Sequence, residues 1–453
     1  MTDERHISAE LAGFASNLQW SDIPEHAQHA ARRTLANAVG VAVGAATHEA
    51  VQSALDACAD LGIVSGECSV LGRSEKLPVG WAPLVNGIAM HVEDFDDTHL
   101  RTVLHPAAPI VPAALAVAER VEAGGQELLS AIVAGVEVAS HMGIAMGDGH
   151  FDAGWHVTGT MGHLGAAVAA GKLLGLSPET MRHALSLAAT QAAGHTKQLG
   201  SHTKSLHAGK AAADGVEAAL LAQNGFTGPP RPIEGRRGLA ALMSPSPDLA
   251  HAVDGLGSVW EISANTFKPY SCGIVSHPVI DAGIELRTQV DPRQISSVSL
   301  TVAPVVLQVM GIAEPDDGLA GKFSVYHCFA VGLLYGQAGP SEYTTERVLD
   351  PEVVRLRRAV RVSTTPEMPK DACEVEVVMS DGTIHRHRVE HATGSLERPM
   401  DDDELKDKFV SVVEAIPPES ADELWQTAFQ ADRLDSVEPI FAAALPESAR
   451  PGI

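Results

Sequence analysis

Apolar residues recur at three- and four-residue steps from about Glu25 to Ser244. Ala31, Leu35, Ala38 and Ala42 form the first stripe, opened by Pro24. Such spacing keeps one side of a 3.6-residue turn apolar and predicts a helix. Comparable stretches at about 81–97, 108–122, 126–145, 160–174, 178–193 and 208–224 predict further helices. Gly124-Gly125, Gly225 and Gly228-Pro229-Pro230 mark breaks between them. The texture changes near residue 290. Ile295–Ala303, Val360–Thr364, Cys373–Met379 and Thr383–Val389 alternate polar and apolar residues and are rich in β-branched side chains, which predicts strands. Ser380-Asp381-Gly382 is a hairpin signal between the last two. Helical stretches at about 319–337 and 350–358 interrupt the strands. Helical periodicity returns at about 402–415, 419–430 and 435–444. The expected fold is therefore mainly α with an α+β second domain. Residues 1–267 and 396–453 would form the helical domain, and 268–395 the inserted α+β domain.

Composition supports this division. The chain has 453 residues, which favours two domains, and 45% of them are hydrophobic but only 4% aromatic. Abundant Ala and Gly let helices pack closely. The formal net charge of −25 disfavours nucleic acid and anionic lipid as partners and keeps the chain soluble. The apolar runs Ala38–Ala46 and Ala107–Ala118 are too short to span a bilayer, which takes about 20 residues. Cys58, Cys68, Cys272, Cys328 and Cys373 form no C-x-x-C pair, which argues against a zinc knuckle or a disulfide framework. With no signal-peptide pattern at the N-terminus, a cytoplasmic location is expected.

Histidine alters the picture. There are 21, and several sit beside carboxylates or lysines. In His91-Val-Glu-Asp94-Phe-Asp-Asp-Thr98-His99, a continuous helix would place His91, Asp94 and Thr98 on one face, with Asp96 and Asp97 pointing elsewhere. An Asp in such a site can orient an imidazole or act as a base. A solvated acidic helix end is the plainer alternative. Metal ligation through Asp94, Asp97 and His99 is a weaker one, because no second cluster has ligand spacing. His105 precedes Pro106 and projects from a stiff loop. Trp155-His156-Val-Thr158-Gly-Thr160 precedes a Gly/Ala-rich helix that Thr158 or Thr160 could cap. Free N–H groups there attract carboxylates and would keep His156 neutral. Segment 194–207 carries His195, Lys197, His202, Lys204 and His207, a local reversal of sign suited to an anionic substrate. His207 reads as structural rather than catalytic. Lys268-Pro-Tyr270-Ser-Cys272 and Ser276-His277-Pro278 lie at the expected domain junction, where clefts form. Phe323-Ser-Val-Tyr326-His327-Cys328 is the last candidate stretch.

Taken together, D-F-D-D-T, H-P, W-H-x-T-G-T, T-K-x-x-H-x-G-x-A-A, K-P-Y-x-C-x-x-x-x-H-P and K-F-S-x-x-x-C resemble the MmgE/PrpD family over about residues 20–445. That resemblance implies a large helical domain with a smaller α+β lid, a homodimer, and no metal or organic cofactor. It implies a pocket of Asp94, Thr98, His105, His156, Lys204 and His277, with Thr160, Lys268, Tyr326 and His327 as substrate contacts. Ser271-Cys272-Gly273 replaces the family's P-C-C, and Tyr326-His327 replaces its Q-Y. The implied activity is a lyase, dehydratase or decarboxylase, moving a proton at the carbon α to a carboxylate of a small di- or tricarboxylate. An epimerase of an iminodisuccinate-like dicarboxylate is the alternative. A non-catalytic carboxylate-binding protein would need the lysine but not the acid–base set.

Overall fold

Small residues set the helix spacing in the first domain. The Val157–Leu173 helix packs against Gly125–Met146, Ala107–Val121 and His202–Gln223, and the last also packs on Ala82–Val92. A Cβ added at Gly135 would stand 2.6 Å from the Gly165 carbonyl oxygen, and one at Gly87 2.6 Å from Cα of Gly209. Backbones that close tolerate no side chain, so glycine is required at both crossings. Gly125–Met146 is apolar and long enough to cross a membrane, but its apolar window is 94% buried inside the domain, where it serves as the core helix.

The computed structural model describes residues 6–413, 416–446 and Ala449. It has two apolar cores. The first draws on residues from Ile7 to Phe267 and again from Met400 to Ala444. The second lies wholly between Cys272 and Val389. The C-terminal helices Asp402–Val412 and Pro418–Phe429 pack on Glu25–Gly44, and Phe409 meets Trp425 edge-on at 5.4 Å.

The second domain is built on four strands in the order 360–364, 295–302, 373–379, 384–389. The first pair is parallel and linked by a helical crossover; the others are antiparallel. Gly382, at φ 86°, turns the last hairpin. Helices His277–Leu286 and Val325–Tyr335 pack together and supply much of this core.

A short pairing ties the domains at their junction. Asp97–His99 runs antiparallel to Asn265–Phe267, with Asp97 opposite Phe267. Lys268 follows at once, just before the second core begins at Cys272. Three expectations change here. The helix expected over 81–97 stops at Val92, and Asp94 turns the chain at φ 51°. Asp is among the few residues that adopt this left-handed conformation at low cost. The helix expected from residue 208 begins at His202 after Ser201, so Lys204 and His207 lie on it rather than before it. The stretch 319–337 divides into Gly318–Gly321 and Val325–Tyr335.

Candidate active site

The turn at Asp94 brings its carboxylate between two lysines from distant elements. Lys204 Nζ, on the first turn of His202–Gln223, donates to Asp94 Oδ1 at 2.5 Å, and Lys268 Nζ donates to the same oxygen at 2.7 Å. Lys268 also donates to the Asp94 carbonyl at 3.2 Å and stands 3.5 Å from Asp96 Oδ1. Asp96 does not point away, as continuous helical periodicity implied. It is buried and bonds His91 Nδ1 at 2.6 Å, with His105 Nδ1 3.5 Å distant. Asp97 is also buried. It accepts from the Ala107 N–H and from Asn265 Nδ2, which fixes the start of the Ala107–Val121 helix. His99 bonds Glu261 and Thr102, so Asp94, Asp97 and His99 each have separate partners. Among the described residues, the group with metal-like spacing is Asp371, His391 and Glu397, away from this cluster.

Geometry assigns one tautomer. His105 Nδ1 lies 2.7 Å from the Asp97 carbonyl, which can only accept. Nδ1 therefore carries the proton, and Nε2 is left as the basic nitrogen of a neutral ring. The Thr98 hydroxyl is 3.2 Å from the same Nδ1, and Thr158 Oγ1 accepts from the His105 N–H at 3.1 Å. Thr158 thus holds His105, not a helix cap. His156 occupies the N-cap position of Val157–Leu173, without a side-chain cap bond. Thr160 bonds His150 at 2.8 Å and the backbone of its own helix, which makes it a packing residue.

Burial dominates the electrostatics. It raises the Asp94 carboxyl, but Lys204 and Lys268 outweigh it and hold Asp94 well below the usual carboxylate range. Asp96 is likewise low, with His105, His91 and Lys268 overcoming burial. Burial, reinforced by the neighbouring Asp96 charge, pushes Asp97 up to about 7. Burial lowers His105 to about 3, despite Asp96, and holds His156 well below its ordinary value. At neutral pH these rings are uncharged, as a base or hydrogen-bond partner requires. The charge reversal read along 194–207 is largely spent. Lys204 faces Asp94, and His202 pairs with Glu49 at 3.2 Å.

A crevice between the domains opens onto this cluster. His91, Asp94, Gly200, Ser201 and Lys204 line one side, and Leu319, Lys322 and Phe323 the other. Its volume of about 10 Å³ is room for one water. Lys322 is the clasp. Its Nζ donates across the junction to the Glu93 carbonyl at 2.7 Å and to Glu93 Oε2 at 2.8 Å, and within its own domain to Ser271 Oγ at 2.6 Å. Lys408, from the C-terminal helices, donates to the Phe95 carbonyl and to Asn37 Oδ1, each at 2.7 Å.

Three expected residues lie apart from the cluster. His277 begins its helix edge-on to Tyr270 at 5.3 Å, with Nε2 buried and unpartnered, beside the Cys272, Ser276 and Cys328 group. His327 donates from Nε2 to the Glu342 carbonyl at 2.9 Å inside the second core, and Tyr326 packs on that core. Sequence reasoning passed over His91 as a site residue, and also Asp96, Lys322 and Lys408. His91 had a signal, since it stands three residues from Asp94. Lys322 had one as well, as the first residue of K-F-S-x-x-x-C, and Lys408 had none beyond its residue type.

Two buried carboxylates, two buried lysines and neutral imidazoles at a crevice between domains make an acid–base centre of the kind enzymes use. The chain belongs to the MmgE/PrpD family: the family's N-terminal domain matches residues 9–252 and its C-terminal domain residues 270–433. It is 28% identical to a cis-aconitate decarboxylase of Aspergillus terreus (strain NIH 2624 / FGSC A1156), over 96% of this chain and 95% of that protein. The cis-aconitate decarboxylases of Mus musculus and Homo sapiens are 28% and 27% identical, over 75% and 74% of this chain and 73% and 72% of theirs.

Proposed function

We propose that this chain is a lyase that decarboxylates or dehydrates a small di- or tricarboxylate by proton transfer at the carbon α to a carboxylate. The observation that carries the reading is the pairing of neutral, buried imidazoles with lysines that face the crevice. An ammonium has three N–H donors. Lys204 spends one on Asp94 and presents the others to a substrate carboxylate in the crevice. Charge that develops on the α-carbon and its carboxylate is stabilised there by Lys204, in a site shut off from bulk water. His105, with Nδ1 committed to Asp97, offers Nε2 for proton transfer, and His156 supplies a second imidazole. The likeness to cis-aconitate decarboxylases favours loss of CO2 over loss of water.

The reaction needs no metal or organic cofactor on this reading, so activity survives exhaustive chelation. The protein works as a homodimer in the cytoplasm, and light scattering reads the first claim. The main test is incubation in D2O with a panel of polycarboxylates, cis-aconitate included, followed by NMR. Release of CO2 with deuterium gained at the α-carbon, or of water with the α-proton lost to solvent, is the expected result. Exchange without net conversion would make the protein an epimerase, and silence across the panel would sink the lyase reading.

A further inference from the structure

His156 is not isolated from the surface. Its Nδ1 lies 3.0 Å from Nδ1 of His207, one turn along the helix that carries Lys204. Two imidazole nitrogens at that distance share one proton, because two N–H groups would repel and two lone pairs would leave a buried contact unsatisfied. His207 is half-buried, and its other side reaches the exposed His195, with ring centres 6.3 Å apart. The ring is also held in place. Gly194 passes so near that a Cβ there would stand 3.1 Å from His207 Cγ, and its φ of 115° excludes other residues. A Cβ at Gly159 would stand 3.2 Å from His207 Cβ.

We propose that His207 is the outer member of a two-imidazole proton relay, which lets His156 give a proton to the reacting carbon while the crevice is shut. The inference rests on the lyase reading above and assigns His207 a role in it. A neutral His156 that surrendered its Nε2 proton alone would become an imidazolate, a prohibitive species at neutral pH. Proton arrival at Nδ1 in the same step removes that barrier. In decarboxylation the bond to the carboxylate carbon breaks and CO2 leaves. The electron pair left on the α-carbon takes the Nε2 proton of His156. His207 passes its Nδ1 proton to His156, and water protonates His207 on Nε2. One proton is taken from solvent for each CO2 released. Both rings then hold the opposite tautomer. When the crevice opens, water protonates His156 Nε2 and the shared proton returns to His207, which releases one to solvent. Burial and the neighbouring Lys204 ammonium disfavour imidazolium at both rings, so the proton is passed along rather than stored.

Two substitutions separate relay from scaffold. His207→Gln keeps a polar partner for His156 but carries no proton through, and His207→Phe removes the partner. The relay predicts that kcat falls by about 10²–10⁴ in both, with KM little changed. Imidazole added to the buffer should restore part of the loss. The rate of the unsubstituted protein should fall along a curve in H2O/D2O mixtures, from two protons in flight, and along a line in the Gln variant. A second arm needs no substrate. With ¹⁵N-labelled histidine, the Nε2 proton of His156 should exchange with solvent at least tenfold more slowly in the Gln variant. A Gln variant with near-normal kcat, or one equally slow but with unchanged ring-proton exchange and no imidazole rescue, overturns the relay. Altered exchange in a protein that turns over no substrate leaves the relay standing and removes the lyase reading instead.

Discussion

Replacing Asp94 by Asn changes little in shape and much in charge. Both lysine ammoniums lie within 2.7 Å of one Asp94 oxygen, and all three side chains are buried. At an effective dielectric of about 20, each contact is worth roughly 6 kcal/mol of attraction, most of it offset by desolvation. Asp94→Asn removes both attractions and leaves two cations facing each other. Lys268 keeps Asp96 at 3.5 Å; among the described residues Lys204 has no second carboxylate that near. The loss at Lys204 has a ceiling, because the group can deprotonate. From an unfolded pKa of about 10.4, neutralisation at pH 7 costs about 4.6 kcal/mol. A destabilisation of about 3–5 kcal/mol at pH 7 follows, the range typical of a broken buried pair. Its pH dependence is diagnostic. With the folded pKa of Lys204 depressed in the variant, the unfolded chain binds more protons up to about pH 10, so the variant regains stability as pH rises. Lys204→Met should cost less, because Asp94 keeps Lys268, and Asp94→Asn combined with Lys204→Met should recover part of the single loss. Urea titrations followed by tryptophan fluorescence at pH 7, 8.5 and 10 measure each quantity. An Asp94→Asn loss below about 1 kcal/mol, or one flat across this range, would refute the buried-pair account.

Lys204→Ala should lower kcat/KM on the substrate found in the polycarboxylate panel by tenfold to a hundredfold or more, the value of a charge-assisted bond in a desolvated site; steady-state kinetics checks it. Asp97 has a raised folded pKa, so its contribution is full below about pH 4 and is lost as pH climbs toward 7. Asp97→Asn should therefore gain on the unsubstituted protein between pH 5 and pH 8, as read from urea midpoints. Lys322→Met removes the clasp on Glu93 and should raise KM more than it lowers kcat. Faster amide exchange at 91–96 and 319–323, seen by mass spectrometry, would accompany it.

Periodicity carried the helical scaffold, because an apolar stripe reports directly on which face is buried. It also carried the strands and the Ser380–Gly382 turn. It failed at Asp94, where no Gly or Pro announces the helix end and a single left-handed residue re-aims the next five. With the helix continued on paper, Asp96 pointed outward; in the molecule it joins His91, His105 and Lys268. Tyr326 and His327 failed for another reason. Their motif lies beside Phe323, which lines the crevice, but the Val325–Tyr335 helix turns both into its own domain. Lys408 was illegible, since its partners Phe95 and Asn37 are more than 300 residues away in the chain.

That last contact bears on how the protein is made. During synthesis the first 267 residues emerge early and can collapse on their own Ala-rich helices. They cannot finish the turn that carries Asp94, because the Phe95 carbonyl waits for Lys408 and the groove beside Gly40 and Gly44 waits for Phe409 and Val412. Between these events the ribosome delivers the whole second domain, with Lys268 and Lys322. A nascent chain stalled before residue 408 would hold every charged partner of Asp94 but leave the Phe95 carbonyl without Lys408 and the groove at Gly40 and Gly44 uncovered, a form open to chaperones and proteases.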